Sequence, residues 1–362
     1  MKQVYKRIGV ALAGIAFLLG CKGDGTLLDL YPIDPIVNPD VGILIQENRF
    51  MNVRLDGRQR ISGITEKGVF STNDRFQSFD FESHPWQGVQ GVVAFGDDLI
   101  VHAPNDGLSF SLRYSTDNGL TWATYDKPVL DEADLAAGSV SVVQLLVSAN
   151  RLVWLLCQQH NGADRRMLLY RVDLEAESSQ KLFSKAHAIG VDASFSGGES
   201  GWLLYAEQDE PEGRIHVLKT TDGGHSWSEG AMLDGVEHPA IEPLDARTLL
   251  VYDTAGNVFY SADGGVSFAP VAIVGGRISR CRAVSANIVY ALLASGVAKS
   301  IDGGRTWVIL DAEAHGIKIS GSAMHFYNER QGIVYGDDKL FLTDDGGAHW
   351  DILVYPYDYV IR

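Results

Sequence analysis

Cysteine is scarce in this chain of 362 residues. There are three, Cys21, Cys157 and Cys281, so what holds the fold must be sought elsewhere. Positive charge is also short, with 30 Lys and Arg against 46 Asp and Glu and a net charge of −16. That balance argues against nucleic acid and against anionic membrane surfaces as partners. It suits a cationic partner, and it is equally the mark of a soluble protein. No helical period of useful length appears, which excludes an all-α or alternating α/β chain. The longest apolar run, IGVALAGIAFLLG, holds thirteen residues and is short for a bilayer span. His84, His102 and His160 show no metal-ligand spacing. No Gly-x-x-x-x-Gly-Lys frame is present to cradle a phosphate.

What the chain does contain is a recurring corner. SIDGGRTW, residues 300–307, returns as STDNGLTW (115–122), TTDGGHSW (220–227), SADGGVSF (261–268) and TDDGGAHW (343–350). A copy without glycine, TNDRFQSF, spans residues 72–79. A hydroxyl residue, an Asp and one or two Gly between apolar runs mark a tight turn. The carboxylate can accept N–H groups of its own turn, and Gly supplies positive φ. The aromatic at the eighth position must then find an apolar seat. Those anchors are Trp122, Trp227, Phe268, Trp307 and Trp350.

The frame aspartates are Asp74, Asp117, Asp222, Asp263, Asp302 and Asp345, spaced by 43, 105, 41, 39 and 43 residues. The long gap holds one further unit around residues 166–183, with Asp173 at a decayed corner. Seven units of about forty residues predict a propeller. Between corners, runs such as QGVVAFG, RLVWLLCQQ, TLLVYDT and NIVYALLA are short, apolar and bounded by Gly, Asn and Asp, as buried strands are. DEADLAAG, residues 131–138, has room for one or two helical turns between units two and three. The expectation is an all-β chain: a single seven-bladed β-propeller of four-stranded antiparallel blades over residues 41–362. IVNPDVGILIQ, residues 36–46, is a candidate closing strand beside the C-terminal residues 354–362. Cys157 then falls in blade three and Cys281 in blade six, too far apart for a disulfide. Both read as buried free thiols, and Cys157 with His160 lacks an orienting third group.

The corners resemble the Asp-box, or bacterial neuraminidase repeat, of sialidases, sortilin-type receptors and photosystem-assembly factors. The resemblance covers roughly residues 41–355. It implies corners that join the third and fourth strands of each blade, away from the mouth where ligands bind. It assigns the box aspartates and aromatics a structural role. Calcium at a corner fails on ligand count, because calcium takes six to eight oxygens.

At the N-terminus, Lys2, Lys6 and Arg7 precede the apolar run and Cys21, the pattern of a secretory signal. LLGC, residues 18–21, resembles a bacterial lipoprotein cleavage box. The resemblance implies a signal over residues 1–20, acylation at Cys21 and a linker over residues 21–40. Lys22 in place of an Asp implies the outer membrane, facing the periplasm. Loss of the three basic residues leaves 27 positive against 46 negative side chains, a net of −19.

Sialidases on this scaffold hold a carboxylate with three arginines, and their early Arg-Ile-Pro signature is missing here. GRIHV at Arg214 and GRISR at Arg277 are the nearest strings. The chain therefore reads as a non-enzyme with no cofactor or metal. Three stretches are candidates to face a protein partner: the basic segment with Arg49, Arg54, Arg58 and Arg60; the acidic loop with Asp209, Glu210 and Glu212; and HNGADRR, residues 160–166, read as a second long loop. Each also reads as solvated surface. Asn48-Arg49-Phe50 and the string Gly68 to Asp74, behind a lipoprotein signal, resemble immunity lipoproteins that neutralise type VI secreted lipases. A protein partner, a secreted toxin in that resemblance, is the first expectation. The others are an envelope or photosystem-type assembly factor, and a sialidase-type glycan protein. Arginines and carboxylates gathered around the channel would favour the glycan reading. The lipid tether is directly testable: the chain should label with a fatty acid and partition into detergent, and Cys21→Ser should do neither.

Overall fold

The structure is a computed structural model. It describes residues 3–4, 50–56, 60–65, 68–83, 91–95, 100–104, 112–117, 121–148, 150–196, 198–272, 277–294, 296–310, 313–314, 317–336 and 339–354. Seven antiparallel sheets follow one another along the chain, over residues 50–83, 91–125, 139–186, 188–233, 240–271, 278–309 and 323–354, here blades one to seven. Each runs in simple meander order. Gln3–Val4 adds alongside Asp80–Ser83 at the outer edge of blade one. The inner strands touch in cyclic order, and that of blade one meets that of blade seven, so the ring is closed. The fold is the seven-bladed β-propeller that the spacing predicts, and the 105-residue gap holds blade three. The candidate closing strand lies outside the described residues.

The core is divided among the seams. Seven apolar clusters each lie between two neighbouring blades. The corner aromatics seal them: Trp122, Trp227, Phe268, Trp307, Trp350 and Phe79 each pack into the seam with the preceding blade. Blade three has no such aromatic, and Leu174, next to Asp173, fills the equivalent place. Between blades two and three the helix Glu132–Ala136 docks through Asp134, which takes Lys181 Nζ at 2.9 Å and the Tyr170 hydroxyl. Cys157 and Cys281 are buried and free.

Six of the seven corners share one geometry. In blade six, Asp302 Oδ1 accepts the N–H of Thr306 at 2.8 Å and the hydroxyl of Ser300 at 2.8 Å. Its Oδ2 accepts the Thr306 hydroxyl at 2.7 Å. Ser300 Oγ in turn accepts the N–H of Gly304 at 2.7 Å. The corresponding bonds recur at Asp74, Asp117, Asp222 and Asp263, and at Asp345 with His349 replacing the seventh-position hydroxyl. The first glycine then donates to a carbonyl in the turn between strands one and two of its own blade. These bonds are Gly223 to Glu199, Gly264 to Arg247, Gly303 to Asn287 and Gly346 to Arg330, at 2.6–2.7 Å. At the second glycine, Gly304 has φ +89°, and a Cβ there would lie 2.7 Å from the Leu250 side chain. Gly304→Ala should therefore lower stability by about 1–3 kcal/mol. Denaturant titration checks this, and an unchanged midpoint would refute the packing argument.

Candidate functional site

An antiparallel meander puts the corners and the turns between strands one and two on one face of the ring. The hairpins between strands two and three lie on the other, with the connections to the next blade. On the corner face the carboxylates are spent on their own turns. The hydroxyl and N–H of Ser267 hold the Asp263 carboxyl down to about 2, as such bonds favour the charged form. An open polar cavity of about 410 Å³ on this face is lined by Asn328, Arg330, Gln331 and Asp344. Asn328 Nδ2 donates to Gln331 Oε1 at 2.9 Å, and Gln331 Nε2 to Asp344 Oδ1 at 3.4 Å, so these groups satisfy one another.

The hairpin face is uneven. The strands of blade three run nine or ten residues, against two to six in blades five to seven. The two middle strands stay paired as far as Asn161 and Asp164, so the extra length emerges at the hairpin tip and raises a wall of about 10 Å. HNGADRR is therefore no long loop. Leu152–Asn161 and Asp164–Asp173 pair to their ends and leave only Gly162 and Ala163 as a turn, with Gly162 at φ +62°. The acidic loop of blade four, between Ser200–Glu207 and Ile215–Thr220, leans against it. Gln208 accepts the N–H of Arg165 at 2.8 Å and donates to the Ala163 carbonyl at 3.0 Å. Lys185 Nζ meets Glu207 at 2.9 Å, and His216 Nε2 meets Glu210 at 2.5 Å while its ring stacks on Tyr205. Glu210 is thus consumed within the loop, whereas Asp209 and Glu212 are exposed. Two of the three predicted stretches, 160–166 and 208–213, come together here.

The basic stretch does not. Arg49 and Arg58 lie outside the described residues. Arg60 sits in the first turn of blade one and donates to Ser71 Oγ at 2.9 Å. Arg54 is on the inner strand at the channel, where its charge and that of Arg282 bear on His325.

The channel wall carries a polar relay that sequence reasoning missed. An inner-strand side chain of one blade accepts a backbone N–H from the inner strand of the next. Gln144 Oε1 takes Ala193 at 2.8 Å, Asp192 Oδ2 takes Ile241 at 2.8 Å, and Glu242 Oε1 takes Ala283 at 2.7 Å. His325 Nδ1 takes Leu55 at 3.2 Å. Between blades six and seven the corresponding inner strand presents Arg280 and Arg282, which have no acceptor. Both are exposed, and neither makes a hydrogen bond or ion pair within the described residues. Their charges bear on the half-buried Asp192 and Glu242. Burial pushes the Asp192 carboxyl up to about 6, against the bonds from Ile241, Gln144 and Ala193. Burial, with Arg282 and Arg54, lowers His325 to about 3 and keeps its ring a neutral acceptor. Cys157 is fully buried and its thiol is pushed up, first by burial and then by the Asp134 charge. His160, three positions along the strand, points to the opposite face. Among the described residues no three His, Cys, Asp or Glu are placed to hold a metal ion.

No family model matches the chain, and no curated protein matches it. Solved structures do. YCF48 from Cyanidioschyzon merolae is 15% identical, with 83% of this chain and 94% of that one covered and a TM-score of 0.54. YCF48 bound to a D1 peptide is 14% identical over 87% and 94%, with a TM-score of 0.53. An oligogalacturonate lyase in complex with manganese is 10% identical over 82% and 89%, with a TM-score of 0.55. At such identities the likeness is one of fold, and the similar propellers include enzymes and non-enzymes alike.

Asp192 gives the channel a pH signature. A carboxyl raised from 3.8 to about 6 contributes stability that is complete below about pH 4 and lost as pH rises through about 6. The loss is up to about 3 kcal/mol. Asp192→Asn removes that titration, so the stability difference between wild type and variant should shift by this amount between pH 4 and pH 7. Parallel profiles would show that Asp192 does not titrate there.

Proposed function

We propose that this chain is a lipid-tethered, non-catalytic propeller that binds another protein through its hairpin face. The observation that carries the reading is the cross-braced wall of blades three and four. Gln208 ties two hairpins into one rigid relief before any partner arrives, so little conformational freedom is left to lose on binding. Exposed Asp164, Arg165, Asp209 and Glu212 on that relief supply charges that select and steer a partner. A propeller of this fold with a peptide bound supports the reading. In this reading the corners are Asp-boxes, and Cys21 carries the lipid that holds the ring at the periplasmic side of the outer membrane. The finer identity of the partner rests on the sequence resemblance. It is a periplasm-directed type VI lipase effector, neutralised by an immunity lipoprotein, or a client of an envelope assembly factor.

A second reading has an observation of its own. Arg280 and Arg282 have no side-chain partner among the described residues and lie at the channel, close to Asp192, Glu242 and the Arg54 inner strand, and this favours a carboxylated glycan as ligand. One experiment separates the two. The tagged mature chain is used to capture partners from solubilised envelopes, and the same chain is titrated with sialic and uronic acids. The protein-binding reading expects a retained protein whose affinity falls about tenfold at low salt in Asp209→Lys with Glu212→Lys. Arg280→Ala with Arg282→Ala should leave it bound. Sugar binding lost in the arginine variant, with no retained protein, would replace the first reading by the second.

A further inference from the structure

Three features mark the seam between blades seven and one. It alone joins blades that no stretch of chain connects, since the strands of blade one come from residues 50–83 and those of blade seven from residues 323–354. At each other seam a connecting segment limits how far the two blades can separate. Among the described residues, side chains and cross-seam contacts alone oppose separation here.

The corner at this seam is also built from different residues. The corners of blades four to seven have glycine at both positions after the Asp, with φ between +72° and +97°. Blade one adopts the same backbone with Arg75 at +56° and Phe76 at +64°. Neither residue favours that region. Elsewhere the second glycine lets the corner backbone lie against the preceding blade. A Cβ would be 2.8 Å from Leu182 at Gly224, 2.7 Å from Leu250 at Gly304 and 2.6 Å from Leu310 at Gly347. In blade one the Phe76 ring fills that seam instead. It is fully buried, 5.6 Å from the Phe70 ring and 6.4 Å from Phe79, in a cluster with Ile333, Tyr335, Leu340, Leu342 and Leu353 of blade seven.

The third feature is a single arginine held over the rim by two carboxylates of the other blade. Arg75 Nη1 meets Asp351 Oδ2 at 2.8 Å, and Arg75 Nη2 meets Asp344 Oδ2. Both aspartates belong to blade seven. The Arg75 side chain is 40% exposed and that of Asp351 57%, so salt screens the bridge.

From these we infer that the ring opens at the seam of blades seven and one, and that Arg75 and Phe76 form the clasp that holds it shut. Two side chains in an unfavoured backbone region are held there by what they grip on the other side. Releasing the grip frees the corner to relax, so clasp and corner let go together.

Native-state hydrogen exchange of the full chain, read by mass spectrometry, tests this. In wild type, the strands of blade one and the inner strand of blade seven should exchange before those of blades three to five, and sooner at high salt. Arg75→Ala should speed exchange in blade one by roughly five- to thirty-fold and leave blades three to five unchanged. Asp344→Ala with Asp351→Ala should give the same pattern, and adding Arg75→Ala to it should change little further. Opening that starts at another seam, or an Arg75→Ala effect spread equally over all seven blades, would overturn the inference. If Arg75→Ala does not fold, the order and salt dependence of exchange in wild type decide the matter alone.

Discussion

A ring of sheets has a difficulty that a sandwich does not: every seam between blades ends at a rim open to water. Each apolar seam must be stopped there by something that is apolar on one side and satisfied on the other. The aspartate corner meets both demands at once. Its carboxylate takes the N–H and hydroxyl groups of the turn, and its aromatic closes the seam with the blade before. The glycine corners hold their shape through their own turns, and blade one's through its grip on blade seven as well, so the aromatic is placed six times over. Blade three shows the need by its exception, since Leu174 takes the place of the missing ring.

This arrangement divides the molecule. The corner face is committed to closure, and its carboxylates are saturated. Individuality is free to appear on the hairpin face and in the channel. The added length of blade three, the Gln208 bridge and the exposed acids of the 208–213 loop are on the first. The channel repeats a second economy: a half-buried polar side chain is tolerated where it accepts the N–H of the next inner strand. Gln144, Asp192, Glu242 and His325 follow that rule. Arginine cannot follow it, having only donors, so Arg280 and Arg282 stand apart from the relay.

Much of this was legible in the chain. The corner is local: Asp302 finds Ser300 and Thr306 within four residues, so eight letters describe it. The period counts the blades, and it located blade three although its corner has decayed to Asp173. Less was legible at the site. Residues 160–166 read as a loop because Asn, Gly and Asp break strands, yet the ladder continues through them where the neighbouring strands supply partners. The arginines between residues 49 and 60 looked like one patch. The strand and turn between them send Arg54 to the channel and Arg60 to the corner face.

The sequence by itself determined the repeat, the number of blades, the all-β class and the residues of each corner. All of these rest on contacts within a few residues, or on a period that can be counted. The tertiary structure alone decided which side chains share a surface. Gln208 reaches Ala163, Asp192 reaches Ile241, and Arg75 reaches Asp351 across 276 positions of the chain. Such pairs are made by the closing of a ring, and no local pattern records where a circle meets its own beginning.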